Sequence, residues 1–143
     1  MFDNGRIRIS LLDGIPLIEV YHNGEVDLAD LEWTRHIVFH ELSALLKLPV
    51  DIVIDRTGHY STSMAALIQM EAIMKDVDHV AYVVYSSIQE QTVQMLSGTY
   101  LLGRKVASFN SVSEAYAWLK QESCCSERLL GTQDFQPLPA HIA

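Results

Sequence analysis

The sequence predicts an α/β domain with the element order β-β-α-β-α-β-α-β-α, in which helices pack on a mostly parallel sheet that begins with an antiparallel hairpin. Two short, mainly apolar runs, residues 50–54 and 79–85, are typical of strands that are covered on both faces. Each run is followed by serines or threonines and then by apolar residues at helical spacing. An Asp-Gly turn between two earlier runs predicts the hairpin.

The N-terminal hairpin is predicted from two runs with the spacing of strands. Residues 6–12 alternate apolar with polar side chains, which is the period of a half-buried strand. Asp13-Gly14 is a strong turn dipeptide, and residues 15–21 form a second run with β-branched and aromatic side chains. These two runs therefore predict an antiparallel pair.

A long first helix is predicted between the hairpin and the central strand. Asp27 or Asp30 can cap its start, and the helix then runs to about Lys47. Its core stripe follows helical spacing and comprises Leu28, Leu31, Val38, Leu42 and Leu45. Trp33 and Phe39 lie partly off this stripe, which indicates either a wide buried face or an apolar patch exposed for a partner.

The central strand leads through a polar loop into a second helix. The loop covers residues 55–63, and the hydroxyls of Ser61 and Ser63 are good N-caps for the helical spacing that continues to Asp76. In α/β domains such a junction places loop hydroxyls and free backbone N–H groups at the carboxyl end of a strand. We therefore expect any function to centre on residues 55–64.

Two further strand and helix pairs complete the predicted domain. Residues 79–85 predict a buried strand, and residues 88–101 predict a helix that a capping box opens. Residues 104–109 predict an edge strand, and a final helix follows that ends near Glu122. The domain is therefore expected to span residues 1–122.

A loosely ordered C-terminal tail is predicted over residues 123–143. This stretch has no sustained period and contains two Pro and a Gly. Its neighbouring Cys124 and Cys125 would close a strained ring as a disulfide, so no structural bridge is expected.

The composition limits the classes of partner. The chain has 143 residues, 18 acidic against 10 basic, with a net charge of -8 and a pI near 5.1. Without a basic stripe to release counterions, nucleic acid is not an expected ligand. No signal-peptide core and no apolar run of membrane-spanning length is seen, so we expect a cytoplasmic protein without an integral membrane segment.

Signatures of catalysis are missing from the sequence. It has no Gly-rich phosphate loop, nucleophile elbow or recognisable cysteine nucleophile, so neither an enzyme nor a cofactor is expected. His36 and His40 stand four residues apart beside Glu41, a spacing that can hold a metal. A third ligand in a known pattern is lacking, so we predict no metal and a solvated or interfacial face instead.

Several segments carry a resemblance to a known family. They are the loop motif DRTG at residues 55–58, the run HVAYVVYSS at 79–87 and the closing FNSVSEAYAWL at 109–119. With the hairpin and the long helix, they resemble the STAS superfamily, and more closely its SpoIIAA-like branch, which overlaps in shape with CRAL-TRIO lipid-binding domains. The resemblance covers roughly residues 6–122. It implies a regulatory or binding domain without catalysis.

In the anti-sigma-factor antagonists of this superfamily, the loop after the central strand resembles Asp-Leu-Ser followed by Asp-Ser-Ser-Gly, and a serine at the helix start is phosphorylated. Asp55, Thr57 and Gly58 fit the first half of that pattern. The Asp-Ser-Ser-Gly half is missing. The phosphoswitch therefore does not carry over cleanly.

Three hydroxyls lie where the second half would stand. With the gap shortened by two residues, Ser61, Thr62 and Ser63 fall near Asp-Ser-Ser, and Met64 replaces the glycine. They could form a phosphoacceptor, anion or partner site, because a helix N-terminus favours the charge of about -1.5 to -2 that phosphate adds. Helix capping alone is the simpler interpretation.

The remaining loop residues are candidate contacts to a partner or ligand. Asp55 could act as an acid or base, although Arg56 could neutralise it, and a structural acid is favoured. Thr57 and Gly58 belong to the same loop. His59 and Tyr60 could hydrogen-bond a ligand, and His59 titrates near neutral pH.

Three functions are therefore carried forward. The leading hypothesis is a non-catalytic regulatory or binding domain that contacts a partner protein through loop 55–64 and the second helix. The alternative is a carrier of a small apolar ligand or lipid, whose cleft Trp33, Phe39 and methionines would line. A third is a hydrolase or transferase that uses Asp55 and His59. An edge strand or the Trp33 face could also pair two subunits into a homodimer.

Overall fold

The computed structural model describes the backbone of residues 1–133 and the side chains of residues 1–122. In this part of the chain the strands are β1 (Phe2–Asp3), β2 (Ile7–Leu12), β3 (Ile15–Val20), β4 (Gly24–Val26), β5 (Val50–Asp55), β6 (Tyr60–Thr62), β7 (Val77–Val83) and β8 (Lys105–Phe109). The helices are α1 (Leu28–His36), α2 (Met64–Ile73), α3 (Ser87–Ser97) and α4 (Val112–Gln133). A π-helical turn (Ile37–Glu41) and a 3-10 turn (Ser43–Leu45) follow α1.

Six strands form the main sheet in the order β1-β2-β3-β5-β7-β8. The strands β1, β2 and β3 are antiparallel neighbours, whereas β3, β5, β7 and β8 are parallel neighbours. The predicted fold class, a mostly parallel sheet with an N-terminal antiparallel hairpin, is therefore confirmed. The central strand β5 lies between β3 and β7, and Ile54 is opposite both Ile18 and Tyr82.

The two faces of the main sheet carry different helices. One face packs against α2, α3 and the π-helical turn after α1, with Val38, Met70 and Leu96 in the core. The other face packs against α4 through Ala115 and Leu119. Successive strand residues point to opposite faces, and both faces of β5 and β7 are covered, so these strands are mainly apolar. That pattern predicts them from the sequence.

A second, two-stranded parallel sheet joins β4 to β6. Both strands lie in segments that the sequence indicates as a turn and a loop. Backbone bonds extend the pairing, from Gly24 N–H to the His59 carbonyl at 3.1 Å and from Ser63 N–H to the Val26 carbonyl at 2.9 Å. Three residues per strand are too few for a recognisable period. The pairing that stabilises these strands joins segments that are distant in the sequence, so no local pattern predicts it.

The first helix departs from its predicted course. Its start is as expected, since Asp27 is the N-cap and forms a reciprocal capping box with Asp30. Its regular α-helical part ends at His36. The π-helical and 3-10 turns that follow have different numbers of residues per turn, so their side chains do not continue the stripe of an α-helix. Leu45 consequently lies 63% exposed, and its predicted place in the core stripe is wrong.

The final helix continues past Glu122 to Gln133. The division into a domain of residues 1–122 and a loosely ordered tail stays a prediction. Residues 134–143 of that predicted tail lie outside the described residues.

Candidate functional site

The loop between β5 and β6 is fixed to neighbouring strands by its backbone. Gly58 N–H donates to the Val20 carbonyl at 2.8 Å, and Arg56 N–H donates to the Val83 carbonyl at 3.0 Å. A Cβ atom at position 58 would lie only 2.3 Å from the His22 carbonyl oxygen. Only glycine lets the two backbone segments approach so closely, which gives Gly58 a structural role.

A buried glutamine on α3 holds the same loop from the other side. The Gln89 amide nitrogen donates to the Arg56 carbonyl at 3.1 Å and to the Gly58 carbonyl at 3.4 Å. Its amide oxygen accepts from Tyr85 N–H at 2.7 Å. Sequence reasoning missed Gln89. Its position three residues after the N-cap Ser86, where a side chain can turn back over the helix start, is the only local signal.

Asp55 is a buried carboxylate with a single side-chain partner. The Tyr85 hydroxyl donates to Asp55 Oδ1 at 2.7 Å. Burial raises the pKa of Asp55, and the hydrogen bond from Tyr85 partly opposes that rise. Burial together with this bond raises the pKa of Tyr85 to about 12. Among the described residues no ion pair joins Asp55 to Arg56, so the expected neutralisation by Arg56 is wrong.

Asp55 and His59 do not form a common site with the cavity described below. His59 is exposed, and its backbone N–H donates to Asn23 Oδ1 at 2.8 Å. Neither residue lines the cavity. Their geometry therefore adds no support to the hydrolase or transferase hypothesis.

The hydroxyl cluster separates into different environments. Ser63 is the N-cap of α2, and its Oγ accepts from Ala66 N–H at 3.2 Å. Thr62 lines the cavity, whereas Ser61 is exposed. The hydroxyl of Thr57 donates to the Val20 carbonyl at 3.3 Å. Of the three candidate phosphoacceptors, Ser61 is therefore the most accessible.

An apolar cavity of about 80 Å³ lies between one face of the main sheet and the segments of α1 and α2. Its polar lining residues are few: Thr34, Arg35, Arg56, Tyr60, Thr62 and Tyr82. The rest of its lining is apolar: Ile7, Ile18, Val20, Val26, Leu31, Val38, Phe39, Ile52, Ile54, Met70, Ile73, Met74, Val77 and Leu96. Of the predicted cleft residues, Phe39 lines this cavity, and Trp33 packs against the core instead.

Arg56 is the most unusual residue of the cavity wall. It is 5% exposed, and in the described part of the chain its Nε has no hydrogen-bond partner. Its Nη2 donates one long bond, of 3.4 Å, to the Tyr60 carbonyl, and its guanidinium carbon lies 4.4 Å from the centre of the Tyr60 ring. A buried charge without a counter-ion is costly in a protein. This arginine is therefore a strong indication of a ligand.

A buried hydrogen-bonded pair, Asp51 and His79, lies at the opposite end of β5, and no sequence pattern predicts it. His79 Nδ1 and Asp51 Oδ1 are 2.8 Å apart, and both residues are 3% exposed. Burial raises the pKa of Asp51, while the bond to His79 opposes that rise. Ligand atoms of Asp51, Asp78 and His79 lie within 4.8 Å of one another, a spacing compatible with a metal ion.

The histidine pair predicted from helical spacing lies elsewhere. The rings of His36 and His40 stack with their centres 4.9 Å apart, and His36 Nε2 is 3.7 Å from Glu41 Oε1. Both histidines are exposed. They share one helical face, as expected.

Helix α2 exposes an apolar stripe directly after the loop. Met64 is 63% exposed and Ile68, one turn later, is 62% exposed. After β7, Tyr85 is 56% exposed, and Ile88 in the first turn of α3 is 73% exposed. Exposed large apolar side chains such as Met64 and Ile68 are candidates for an interaction surface.

Comparisons by sequence give no match, neither with models of protein families nor with curated proteins. Comparisons by structure give matches. An uncharacterised protein of the DUF3478 family from Shewanella loihica PV-4, described as having a SpoIIAA-like fold, matches with a TM-score of 0.58 at 17% identity. The match covers 83% of this chain and 98% of that one.

Two structures of SpoIIAA also match. The unphosphorylated anti-sigma factor antagonist gives a TM-score of 0.53 at 12% identity, with 80% of this chain and 97% of that chain covered. The phosphorylated Bacillus cell fate determinant gives 0.52 at 14% identity, with 79% and 98% covered.

These matches show the α/β fold class of the domain. Within that class the chain has the SpoIIAA-like fold, as its sequence motifs indicate. Identities below one fifth establish the fold and leave the function to the site. Among residues 1–133, no helix combines the length and the apolar content that a bilayer span needs.

Proposed function

We propose that this protein is a non-catalytic regulatory or binding domain that contacts a partner protein through loop 55–64 and α2. The observation that carries the proposal is the exposed stripe of Met64 and Ile68, which continues from the loop. Removing two such side chains from water stabilises a complex by roughly 1.5–3 kcal/mol each. The net charge of -8 favours a partner with a basic contact surface.

Ser61 provides a site at which this contact could be regulated. It is exposed and precedes the N-cap Ser63 by two residues, so a phosphate there would lie near the positive end of α2. One of the similar structures is SpoIIAA in its phosphorylated form, which supports testing this fold for phosphorylation. Thr62 and Ser63 are less suited, because the first lines the cavity and the second caps the helix.

The test compares two variants in which the replaced side chains are about equally exposed. M64S/I68S removes the stripe, whereas L45S removes a leucine that is 63% exposed in the 3-10 turn before β5. Proteins cross-linked to the wild type in host extract would be identified by mass spectrometry. We expect a partner that L45S retains and M64S/I68S loses, and whose capture S61D changes. Equal capture by all variants would refute this surface.

A second candidate function, a carrier of a small apolar ligand, is favoured by the cavity. Its lining is almost entirely apolar and lies beneath α2, where a ligand would be shielded from water. Native mass spectrometry of protein purified from its host, with extraction of bound small molecules, tests this function. A mass that remains bound under native conditions and disappears on denaturation is the expected result, and an unliganded mass alone would count against the carrier.

A homodimer stays a prediction. The strand β8 forms one edge of the main sheet and β1 the other, so either offers unpaired backbone groups to a second copy.

A further inference from the structure

The cavity has a charge opposite to that of the chain. Its lining includes two arginines, Arg35 and Arg56, and no aspartate or glutamate. The whole chain, in contrast, carries 18 acidic residues against 10 basic ones. With two arginines and no carboxylate in its lining, the cavity is complementary in charge to an anion.

Arg56 has donor groups that the described part of the protein leaves unused. A guanidinium offers five N–H donors in a planar fork that matches a carboxylate. Within the described residues these donors make one bond, the long contact of 3.4 Å to the Tyr60 carbonyl, and the buried Nε has no acceptor. No carboxylate there lies within 4.0 Å of Arg56. Its fork is therefore available to a bound anion.

Neighbouring side chains hold this arginine in place before any ligand arrives. The Tyr60 ring stacks at 4.4 Å from the guanidinium carbon, which restrains the plane of the fork. Tyr82 and Thr62 line the same cavity and add hydroxyl groups to its wall. A preorganised fork binds an anion without the entropic cost of ordering a long side chain.

The size and the walls of the cavity limit the rest of the ligand. Ordinary small-molecule pockets measure roughly 300–1,000 Å³. One water molecule needs roughly 10–15 Å³ of such volume, so the cavity of about 80 Å³ suits a ligand of roughly five to eight heavy atoms. Beyond the polar group the wall consists of aliphatic and thioether side chains such as Ile52, Met70 and Met74. Such a wall favours a short hydrocarbon tail.

We propose that the cavity binds a short-chain carboxylate, with its anionic head on the Arg56 guanidinium and its hydrocarbon tail among the side chains of the sheet and α2. The proposal rests on the carrier function, the second candidate above, and specifies its ligand. It is independent of the partner surface on Met64 and Ile68.

Methionine methyl signals in NMR spectra provide a test with internal controls. Met70 and Met74 line the cavity, whereas Met64 and Met95 are exposed outside it. The full-length protein would be titrated with hexanoate, 1-hexanol, acetate and dodecanoate. We expect hexanoate to shift the Met70 and Met74 signals while those of Met64 and Met95 stay in place, with 1-hexanol and acetate binding more weakly.

Two arginine variants distinguish a direct contact between Arg56 and the anionic head group from a general effect of the protein's net charge. R56Q removes the fork, whereas R8Q removes an equal charge from a half-exposed arginine that pairs with Asp3 at the edge of the sheet. A charge-assisted pair of hydrogen bonds corresponds to a loss of about tenfold or more in affinity. R56Q should therefore lose hexanoate affinity by about that factor and keep its affinity for 1-hexanol, and R8Q should behave like the wild type.

Each outcome distinguishes the two proposals. Equal binding of 1-hexanol and hexanoate, or unchanged hexanoate binding by R56Q, would overturn the role of Arg56 and leave the carrier function standing. No shift of Met70 or Met74 with any of these compounds would overturn both. Tighter binding of dodecanoate than of hexanoate would show that the cavity opens for longer chains and would refute the short tail.

Discussion

Buried polar side chains at the two ends of β5 differ in whether they have a partner of complementary chemistry. At its start, Asp51 meets His79 at 2.8 Å, and the two side chains compensate each other. Just past its end, Arg56 is as deeply buried but has no anion in the described part of the chain. One end of the strand therefore has a hydrogen-bonded pair of titratable side chains, although His79 Nε2 has no hydrogen-bond partner among the described residues, and the other end has an arginine without a carboxylate within 4.0 Å there. If the proposal for the cavity is right, the contrast separates a residue pair that stabilises the fold from a charge that binds a ligand.

The largest expected effect comes from breaking the complete pair. H79L leaves the Asp51 carboxylate buried without its partner and should lower the free energy of unfolding by about 3–5 kcal/mol. R56M, in contrast, removes a buried charge that lacks a counter-ion, so we expect ligand-free protein to stay within about 1 kcal/mol of wild type or above it. Urea denaturation of both variants measures the difference.

The double variant D51V/H79L is the control for this comparison. It replaces both hydrogen-bonded partners with apolar groups and should recover most of the stability that H79L loses. A double variant as unstable as H79L, or an R56M variant as unstable as H79L, would contradict the distinction between the two ends.

The next effect concerns the close approach that positions Arg56. G58A places a Cβ 2.3 Å from the His22 carbonyl oxygen, which the backbone can relieve only by moving. We expect a loss of about 1–3 kcal/mol in the free energy of unfolding. The matched control is G98A, because the atom nearest to a Cβ at position 98 is 3.8 Å away. Gly5 also has nothing within 4 Å of a Cβ, but its positive φ would add backbone strain to the comparison. A G58A variant as stable as G98A would refute the role of this contact.

A smaller effect separates the capping serine from the accessible one. S63A removes the N-cap of α2 and should cost about 1 kcal/mol. S61A removes an exposed hydroxyl and should change stability by less than about 0.5 kcal/mol. Thermal denaturation of both single variants checks the assignment, and equal losses would show that Ser61 also has a structural role.

The smallest effect is a dependence on pH at Asp55. Burial holds the folded-state pKa above the usual 3.8, so the folded protein keeps a proton that the unfolded chain releases. This group therefore lowers stability progressively as the pH rises from 3.8 through the folded pKa. D55N lacks the titration and can keep the bond from Tyr85. The stability of D55N relative to the wild type should rise over that window.

Asp3 provides a control of opposite sign. Its hydrogen bond from Tyr21 lowers the pKa of Asp3 below 3.8, so the wild type gains stability above that value and loses it as the pH falls through the folded pKa. The stability of D3N relative to the wild type should therefore fall as the pH rises through the window below 3.8. Denaturation curves measured across both windows check the two signs, and parallel trends would contradict the assignment for Asp55.

The main sheet could be predicted from sequence because its signals are local. The continuous apolar character of β5 and the alternation of β2 depend on neighbours within a few residues. The pair of β4 and β6 and the bond between Asp51 and His79 could not be predicted, because their partners are distant in sequence. No pattern within a short stretch of the sequence predicts contacts between such distant residues.

The sequence predicts the position of the loop after β5 in the fold but not the surroundings of its side chains, and the role of the loop as a site stays a prediction. The loop after β5 was located correctly in the fold, and Ser63 caps α2 as expected. Arg56 was interpreted as a counter-ion for Asp55, whereas Asp55 bonds to Tyr85 and Arg56 lines the cavity. Only the depth at which each charge is buried separates these alternatives, and a single sequence does not show depth.

The way in which Gln89 holds the loop has a consequence for its evolution and redesign. Its amide bonds to the main-chain carbonyls of residues 56 and 58, and not to their side chains. Apart from Gly58, the side chains of this loop can therefore be exchanged without loosening the attachment to α3. Homologous domains could acquire new ligands by substitutions at positions 56, 57 and 59 alone, and a designer could graft a different recognition group there onto an unchanged scaffold.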